Sequence, residues 1–212
     1  MSSRAHIALK VVVWIVGLAP LTALGYWFWT GDLTANPIEF VTWTLGDWAL
    51  RLLLASLAMT PLRLLFGLSW PLTVRRLLGL FAFAYVVLHF AVWIVLDHFF
   101  DWHTMGDDIV KRPWITVGVA ALVLLCPLAA TSTTGMIKRM GGVAWRRLHR
   151  LAYVAAVLGA LHYIWLAKKV LLAPKVYASV LVLLLAIRAV DAARRYLRRR
   201  TAARSLALGT GG

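Results

Sequence analysis

Residues 76–97 read R-L-L-G-L-F-A-F-A-Y-V-V-L-H-F-A-V-W-I-V-L-D. Between Arg76 and Asp97 the run holds no formal charge, and its one ionisable imidazole is His89. About 20 apolar residues at 1.5 Å each match the roughly 30 Å hydrocarbon layer of a bilayer. The stretch therefore reads as a membrane-spanning helix with a histidine inside it. Residues 11–31 and 113–137 are uncharged runs of similar length. Residues 151–167 are slightly shorter, and the flanking Arg150 and Lys168 can snorkel to the interfaces. Two weaker segments complete the set. Residues 44–62 carry Asp47 and Arg51 four apart, a spacing that lets them pair on one helix face, and 175–190 carry Arg188 near the far end. The reading is an all-α membrane protein, a six-transmembrane-helix bundle with helices at about 8–29, 44–62, 76–97, 113–132, 145–167 and 175–195.

Composition agrees. Of 212 residues, 62% are hydrophobic and 15% charged, against roughly 45–50% and about 25% in soluble domains. Mean hydropathy is +0.80. The longest connections are about 14 residues, so no separate soluble domain is expected. The first span ends in Tyr26, Trp27, Phe28 and Trp29, an interfacial belt, where a cleaved signal would end in small residues.

The net charge of +15 follows from topology. With both termini cytoplasmic, 17 of the 23 basic residues fall inside and 6 outside, while Asp191 is the one inner acid. Positive-inside topology and anionic-lipid contact absorb the charge, and no nucleic-acid partner is expected. Lys168, Lys169 and Lys175, in the last outer loop, break the pattern. Cys126 is the single cysteine. The chain therefore has no internal disulfide, no C-x-x-C-H for c-type haem and no paired-cysteine zinc site.

His89 and His162 are the residues most in need of an explanation, because an ionisable side chain inside a span is costly and marks function. His89 lies 13 residues after Arg76, and His162 lies 13 residues after His149. The third and fifth spans run in the same direction, so both histidines sit roughly 20 Å from the cytoplasmic ends, at matching heights. Ala82 and Ala155 precede them by seven residues, and Gly159 by one turn. Small residues leave room for a flat macrocycle, although they also serve ordinary helix packing. Two histidines at equal depth are what a bis-imidazole b-type haem needs. His149 stands at the cytoplasmic end of the fifth span in W-R-R-L-H-R. On an ideal helix it faces away from His162. It is read as ligand to a second haem, propionate contact, quinone or flavin hydrogen bond, or interfacial polarity. His6, His98 and His103 read as solvated residues, with a weaker surface metal site at His98, Asp101 and His103.

Several stretches carry a family resemblance. They are T-P-L-R at 60–63, R-L-L-G-L-F-A-F-A-Y-V-V-L-H at 76–89 with Arg75 before it, K-R-P at 111–113, T-S at 131–132, W-R-R-L-H-R-L-A-Y at 145–153 and L-H-Y at 161–163. In this order the chain resembles the haem-binding membrane subunits of bacterial periplasmic methionine-sulfoxide reductase systems, the MsrQ or YedZ family. That family lies in the ferric-reductase-like transmembrane group, with the membrane part of the NADPH oxidases. The resemblance implies one such domain over residues 1–212 in the bacterial cell inner membrane. It implies haem b, one or two, held through His89, His149 and His162. It also implies FMN, and a periplasmic molybdopterin-containing methionine-sulfoxide reductase subunit as partner. Compared with the oxidases, Arg75 or Arg76 replaces the first histidine of the third helix.

The chain has no G-x-G-x-x-G turn and no Walker A motif. A nicotinamide therefore has no usual site, and electrons are expected from the quinone pool or a cytoplasmic flavin reductase. Arg75, Arg76, Arg146, Arg147 and Arg150, with Trp145, cluster on that side and suit flavin phosphate or quinone oxygens as well as lipid headgroups. Arg51 is placed to meet a haem propionate or to pair with Asp47. The acidic outer loop of Asp97, Asp101, Asp107 and Asp108 suits a basic partner. The expected function is electron transfer by a redox subunit that does not itself reduce sulfoxides. The alternatives are a stand-alone haem ferric or quinone reductase, and a haem-free transporter or assembly protein.

Overall fold

The computed structural model describes residues 3–167 and 172–209. Lys168 and Lys169 lie outside the described residues. Among those described, nine α-helices and one π-helical turn follow in order. They are α1 (Ser3–Thr30), α2 (Pro37–Phe66), α3 (Pro71–Val92), a π turn (Trp93–Asp97), α4 (Trp102–Lys111), α5 (Pro113–Ala130), α6 (Thr134–Met140), α7 (Gly142–Leu148), α8 (Leu151–Leu166) and α9 (Leu172–Gly209).

Five helical segments are long and apolar enough to cross a membrane: Arg4–Thr30, Pro37–Phe66, Pro71–Asp97, Pro113–Ala130 and Leu172–Ala202. The fifth span of the sequence reading, 145–167, is interrupted. The short α7 ends at His149, and α8 restarts at Leu151 with 16 residues. Its uncharged core is helical, but its basic start belongs to a separate turn.

The other boundaries also move for local reasons. α2 starts seven residues before the expected 44, because Asn36 caps it and Pro37 occupies its first turn. The Asn36 side chain accepts from the Glu39 N–H at 3.3 Å and donates to the Glu39 carboxylate at 2.9 Å. Gly67, left-handed at φ 67°, closes the helix by donating its N–H to the Arg63 carbonyl. The last helix runs past the expected 195 to Gly209, through a stretch rich in Ala, Leu and Arg, all good helix formers. The outer loop folds in part as α4, whose cap is Asp101. Hydrogen bonds from Thr104, and a further one from the His103 N–H, hold the Asp101 carboxyl below its usual range.

Leucine faces form the core. Leu45, Leu50, Leu53 and Leu57 of α2 are buried against Val74, Leu78, Phe81 and Tyr85 of α3. Leu125 and Leu128 of α5 join the buried alanines Ala155, Ala156 and Ala160 of α8. α2 packs chiefly with α3 and α5 with α8, while α1 lies on α3 and α9 lies across α2 and α8. α1 and α9 leave Val12, Trp14, Ile15, Val182 and Leu183 outward, the pattern of helices whose outer face meets lipid. Tyr85 is fully buried, and its hydroxyl donates to the Gly17 carbonyl at 2.7 Å, tying α3 to α1. Tyr85→Phe is expected to cost about 1 kcal/mol, read as a lowered Tm in detergent with no change in cofactor content.

Candidate functional site

His89 on α3 and His162 on α8 face each other with ring centres 6.2 Å apart and planes 81° apart. Each is held in the same way. His89 Nδ1 lies 2.9 Å from the Thr42 carbonyl, and His162 Nδ1 lies 2.7 Å from the Trp114 carbonyl. A carbonyl accepts only, so each Nδ1 carries the proton and each Nε2 keeps its lone pair. Four residues after each carbonyl stands a glycine against which the ring lies. A Cβ at Gly46 would approach the His89 ring at 3.1 Å, and one at Gly118 would approach His162 Nδ1 at 2.9 Å. The two helix pairs, α2 with α3 and α5 with α8, thus carry one device twice.

Both imidazoles line a cavity of about 1080 Å³ including its mouth. Its wall is largely apolar, with Leu50, Leu53, Val86, Val119, Leu122 and Leu125, and Ala155 and Gly159 supply the expected room. Ala82 is fully buried in the core and does not border the cavity. These residues fit a haem. Metal–imidazole bonds of about 2 Å, with each ring centre about 1 Å behind its nitrogen, set two axial imidazoles about 6 Å apart. The Nδ1–carbonyl bonds are the outer contacts that fix tautomer and ring orientation at metal sites. At the mouth, Asp47 and Tyr163 reach the wall. Arg51 stands behind them, ion-paired with Asp47 and donating Nε–H to the Tyr177 hydroxyl at 2.6 Å. Of the two contacts expected for Arg51, a haem propionate or Asp47, the structure shows the pairing with Asp47.

A second cleft, about 940 Å³ with its mouth, adjoins the first, and Leu53 and Leu125 border both. Arg75, Arg76, Trp145 and His149 line it. Arg146 and Arg147 are exposed on α7 and do not border it. His149 stacks on Trp145 with centres 3.9 Å apart, and its Nε2 lies 3.1 Å from the Thr131 hydroxyl. Thr131 is buried and also accepts, through its carbonyl, the indole N–H of Trp145 at 2.9 Å. The helix break at His149 uncouples this ring from the α8 face that carries His162.

The expected metal group at His98, Asp101 and His103 does not assemble. Asp101 caps α4, and His98 Nε2 turns to Asp108 at 3.2 Å. Among the described residues no group of three such side chains is placed to hold a metal ion. Sequence reasoning missed Gly46, Gly118, Thr131 and the carbonyls of Thr42 and Trp114. A readable signal existed for the glycines, since T-L-G at 44–46 and T-V-G at 116–118 repeat.

Comparison with known proteins agrees with this architecture. The profile described as "Ferric reductase like transmembrane component" matches residues 45–160. A Rhodospirillum rubrum protein named "Protein-methionine-sulfoxide reductase heme-binding subunit MsrQ" is 56% identical over 186 residues, covering 88% of this chain and 89% of that one. Proteins of the same name from Herminiimonas arsenicoxydans and Ralstonia nicotianae are 49% and 48% identical, each covering 85% of this chain and 84% of its own length. With the matched profile running from within α2 to within α8, and relatives of this identity along most of its length, the chain belongs to the MsrQ family of ferric-reductase-like transmembrane proteins.

Proposed function

We propose that the chain is a b-type haem electron-transfer subunit of a methionine-sulfoxide reductase system. The paired imidazoles carry this reading, being 6.2 Å apart, each with Nδ1 tied to a carbonyl and each bordering one cavity. His89 and His162 hold the iron through Nε2. When bound, haem b supplies a one-electron centre in an apolar, water-poor wall. Thr42 and Trp114 keep each imidazole in its Nδ1–H tautomer, and Gly46 and Gly118 give the rings their space. His89, His149 and His162 are the family's three candidate ligands. Because His149 shares its Nε2 with Thr131, one haem in the first cavity and a flavin (FMN) or quinone in the second cleft is the favoured arrangement.

In this reading α8, at 16 residues, is the fifth of six spans, helped across by Arg150. Residues 1–212 form a single domain in the bacterial inner membrane with both termini cytoplasmic. Electrons enter from the quinone pool or a flavin reductase beside Arg75, Arg76, Trp145 and His149. They leave at the periplasmic face to a molybdenum-dependent protein-methionine-sulfoxide reductase, which performs the sulfoxide chemistry.

Two experiments test this. Alkaline phosphatase fused after residue 209 is expected to be inactive, and fused within 98–101 active; the reverse pattern overturns the orientation. Inner membranes holding the chain and its periplasmic partner are expected to reduce protein-bound methionine sulfoxide. Those with His162→Ala are expected to lose this activity, and full activity in that variant contradicts the haem route.

A further inference from the structure

Among the described residues, Asp47 is the only one bordering the first cavity that carries a formal charge. It lies in α2, within a segment long and apolar enough to cross a membrane, and a charge kept inside such a segment marks function. Its place in the chain ties it to both imidazoles. It follows Gly46, against which the His89 ring lies, and Tyr163, which follows His162, borders the same cavity. The two carboxylate oxygens differ. Oδ2 pairs with Arg51, one turn further along the helix. Oδ1 is buried and has no hydrogen-bond partner among the described residues.

Arg51 does not cancel this charge at the cavity, because it does not border it. Its Nε–H donates to the Tyr177 hydroxyl at 2.6 Å, and its guanidinium lies 5.0 Å from the centre of the Trp48 ring. The Arg51 side chain is 43% exposed against 19% for Asp47, so water screens the cation more than the anion. The pair is thus an oriented dipole with its negative end at the cavity. The remaining wall is largely apolar and adds no cation, and in such surroundings a charge acts strongly. The second cleft has the opposite sign, being bordered by Arg75 and Arg76 and by no acid among the described residues.

We propose that the Asp47–Arg51 pair sets the reduction potential of the haem in the first cavity, with the Asp47 carboxylate favouring the ferric state. The proposal rests on the reading of that cavity as the haem site. Reduction adds one negative charge to the haem, and a fixed anion beside it opposes that addition. A haem that holds its electron less tightly is the stronger donor to its acceptor. Asp47 acts through its field alone, one of the means by which the surroundings of a haem tune its potential.

The test is a redox titration of the purified full-length protein in detergent, followed at the low-spin haem band, with haem counted per chain. Wild type is compared with Asp47→Asn, Asp47→Glu and the double variant Asp47→Asn/Arg51→Gln. A unit charge about 10 Å from a redox centre, at an effective dielectric of about 20, biases the equilibrium about tenfold. Asp47→Asn removes the anion and leaves Arg51 unpaired. It is expected to raise the ferrous-to-ferric ratio at a given applied potential about tenfold, a rise of about 59 mV in midpoint for one electron. The double variant removes both charges and is expected to lie between Asp47→Asn and wild type. Asp47→Glu keeps the charge and is expected to stay within about twofold of wild type. A packing effect would give the reverse order, because Asn matches Asp in shape and Glu does not. The double variant leaves no buried charge unpaired, so it carries the test should Asp47→Asn fail to fold. With the low-spin signal intact, midpoints at or below that of wild type in Asp47→Asn and in the double variant overturn the proposal. A midpoint raised as far in Asp47→Glu as in Asp47→Asn also overturns it. Absence of low-spin haem from the wild type instead overturns the electron-transfer reading, so the two failures are distinct.

Discussion

His89→Ala and His162→Ala are each expected to remove the low-spin b-type signal of the first cavity. A single imidazole cannot complete the axial pair, and no other described side chain with a ligating nitrogen or sulfur borders that cavity. Loss of an outer hydrogen-bond partner alone costs 10–100-fold in metal affinity, so loss of a ligand itself is expected to lower haem retention by well over about tenfold. The two variants should behave alike, because the two rings are held by the same device on two helix pairs. His149→Ala is the contrast. Its ring stacks on Trp145 beside the second cleft, so the first signal should survive it. A first-cavity signal lost in His149→Ala and kept in His89→Ala would reverse the assignment.

The second large effect is steric. Gly118→Ala puts a Cβ 2.9 Å from His162 Nδ1, closer than real Cβ contacts. The ring must give way, and the 2.7 Å bond to the Trp114 carbonyl is the first contact strained. Gly46→Ala is milder, with 3.1 Å to the His89 ring. Overpacking of this kind typically costs 1–3 kcal/mol. The expected spectroscopic order is therefore Gly118→Ala, then Gly46→Ala, then wild type in the fraction of high-spin or weakly held haem. Electron paramagnetic resonance of the oxidised protein reads the same order, because the relative orientation of the two imidazole planes shapes that signal. A Gly118→Ala protein that folds, holds haem fully and shows the wild-type signal would mean that the glycine does not set the ring.

Much of this arrangement is legible in the residues. Uncharged runs announce α1, α3 and α5, since a bilayer-length run without charge has few other uses. The equal 13-residue offsets of His89 and His162 place the rings at one height, and the structure brings their centres to 6.2 Å with the planes nearly perpendicular. The break at His149 is not legible. W-R-R-L-H-R contains no proline or glycine, and the turn that restarts the chain is set by tertiary contacts of Trp145 and His149 with Thr131. Arg188 illustrates a different gap. In the sequence it counts as one more inner positive charge, and its Nη2 donation to the Leu57 carbonyl, which Pro61 four residues later leaves without a helical donor, appears only once α9 lies across α2. Gly46 and Gly118 needed the pairing of α2 with α3 and of α5 with α8, which sets each glycine against a ring 43 or 44 residues later; no local pattern supplies that, although the repeated T-x-G triplets hinted at it.

The most direct measurement is a reduced-minus-oxidised visible spectrum of the purified full-length protein, with haem quantified per chain. A sharp low-spin b-type spectrum at about one haem per chain or more is expected from the paired imidazoles. Protein made with ample haem supply that is folded and colourless would contradict the central claim, and would return the intramembrane histidines to helix packing or proton handling.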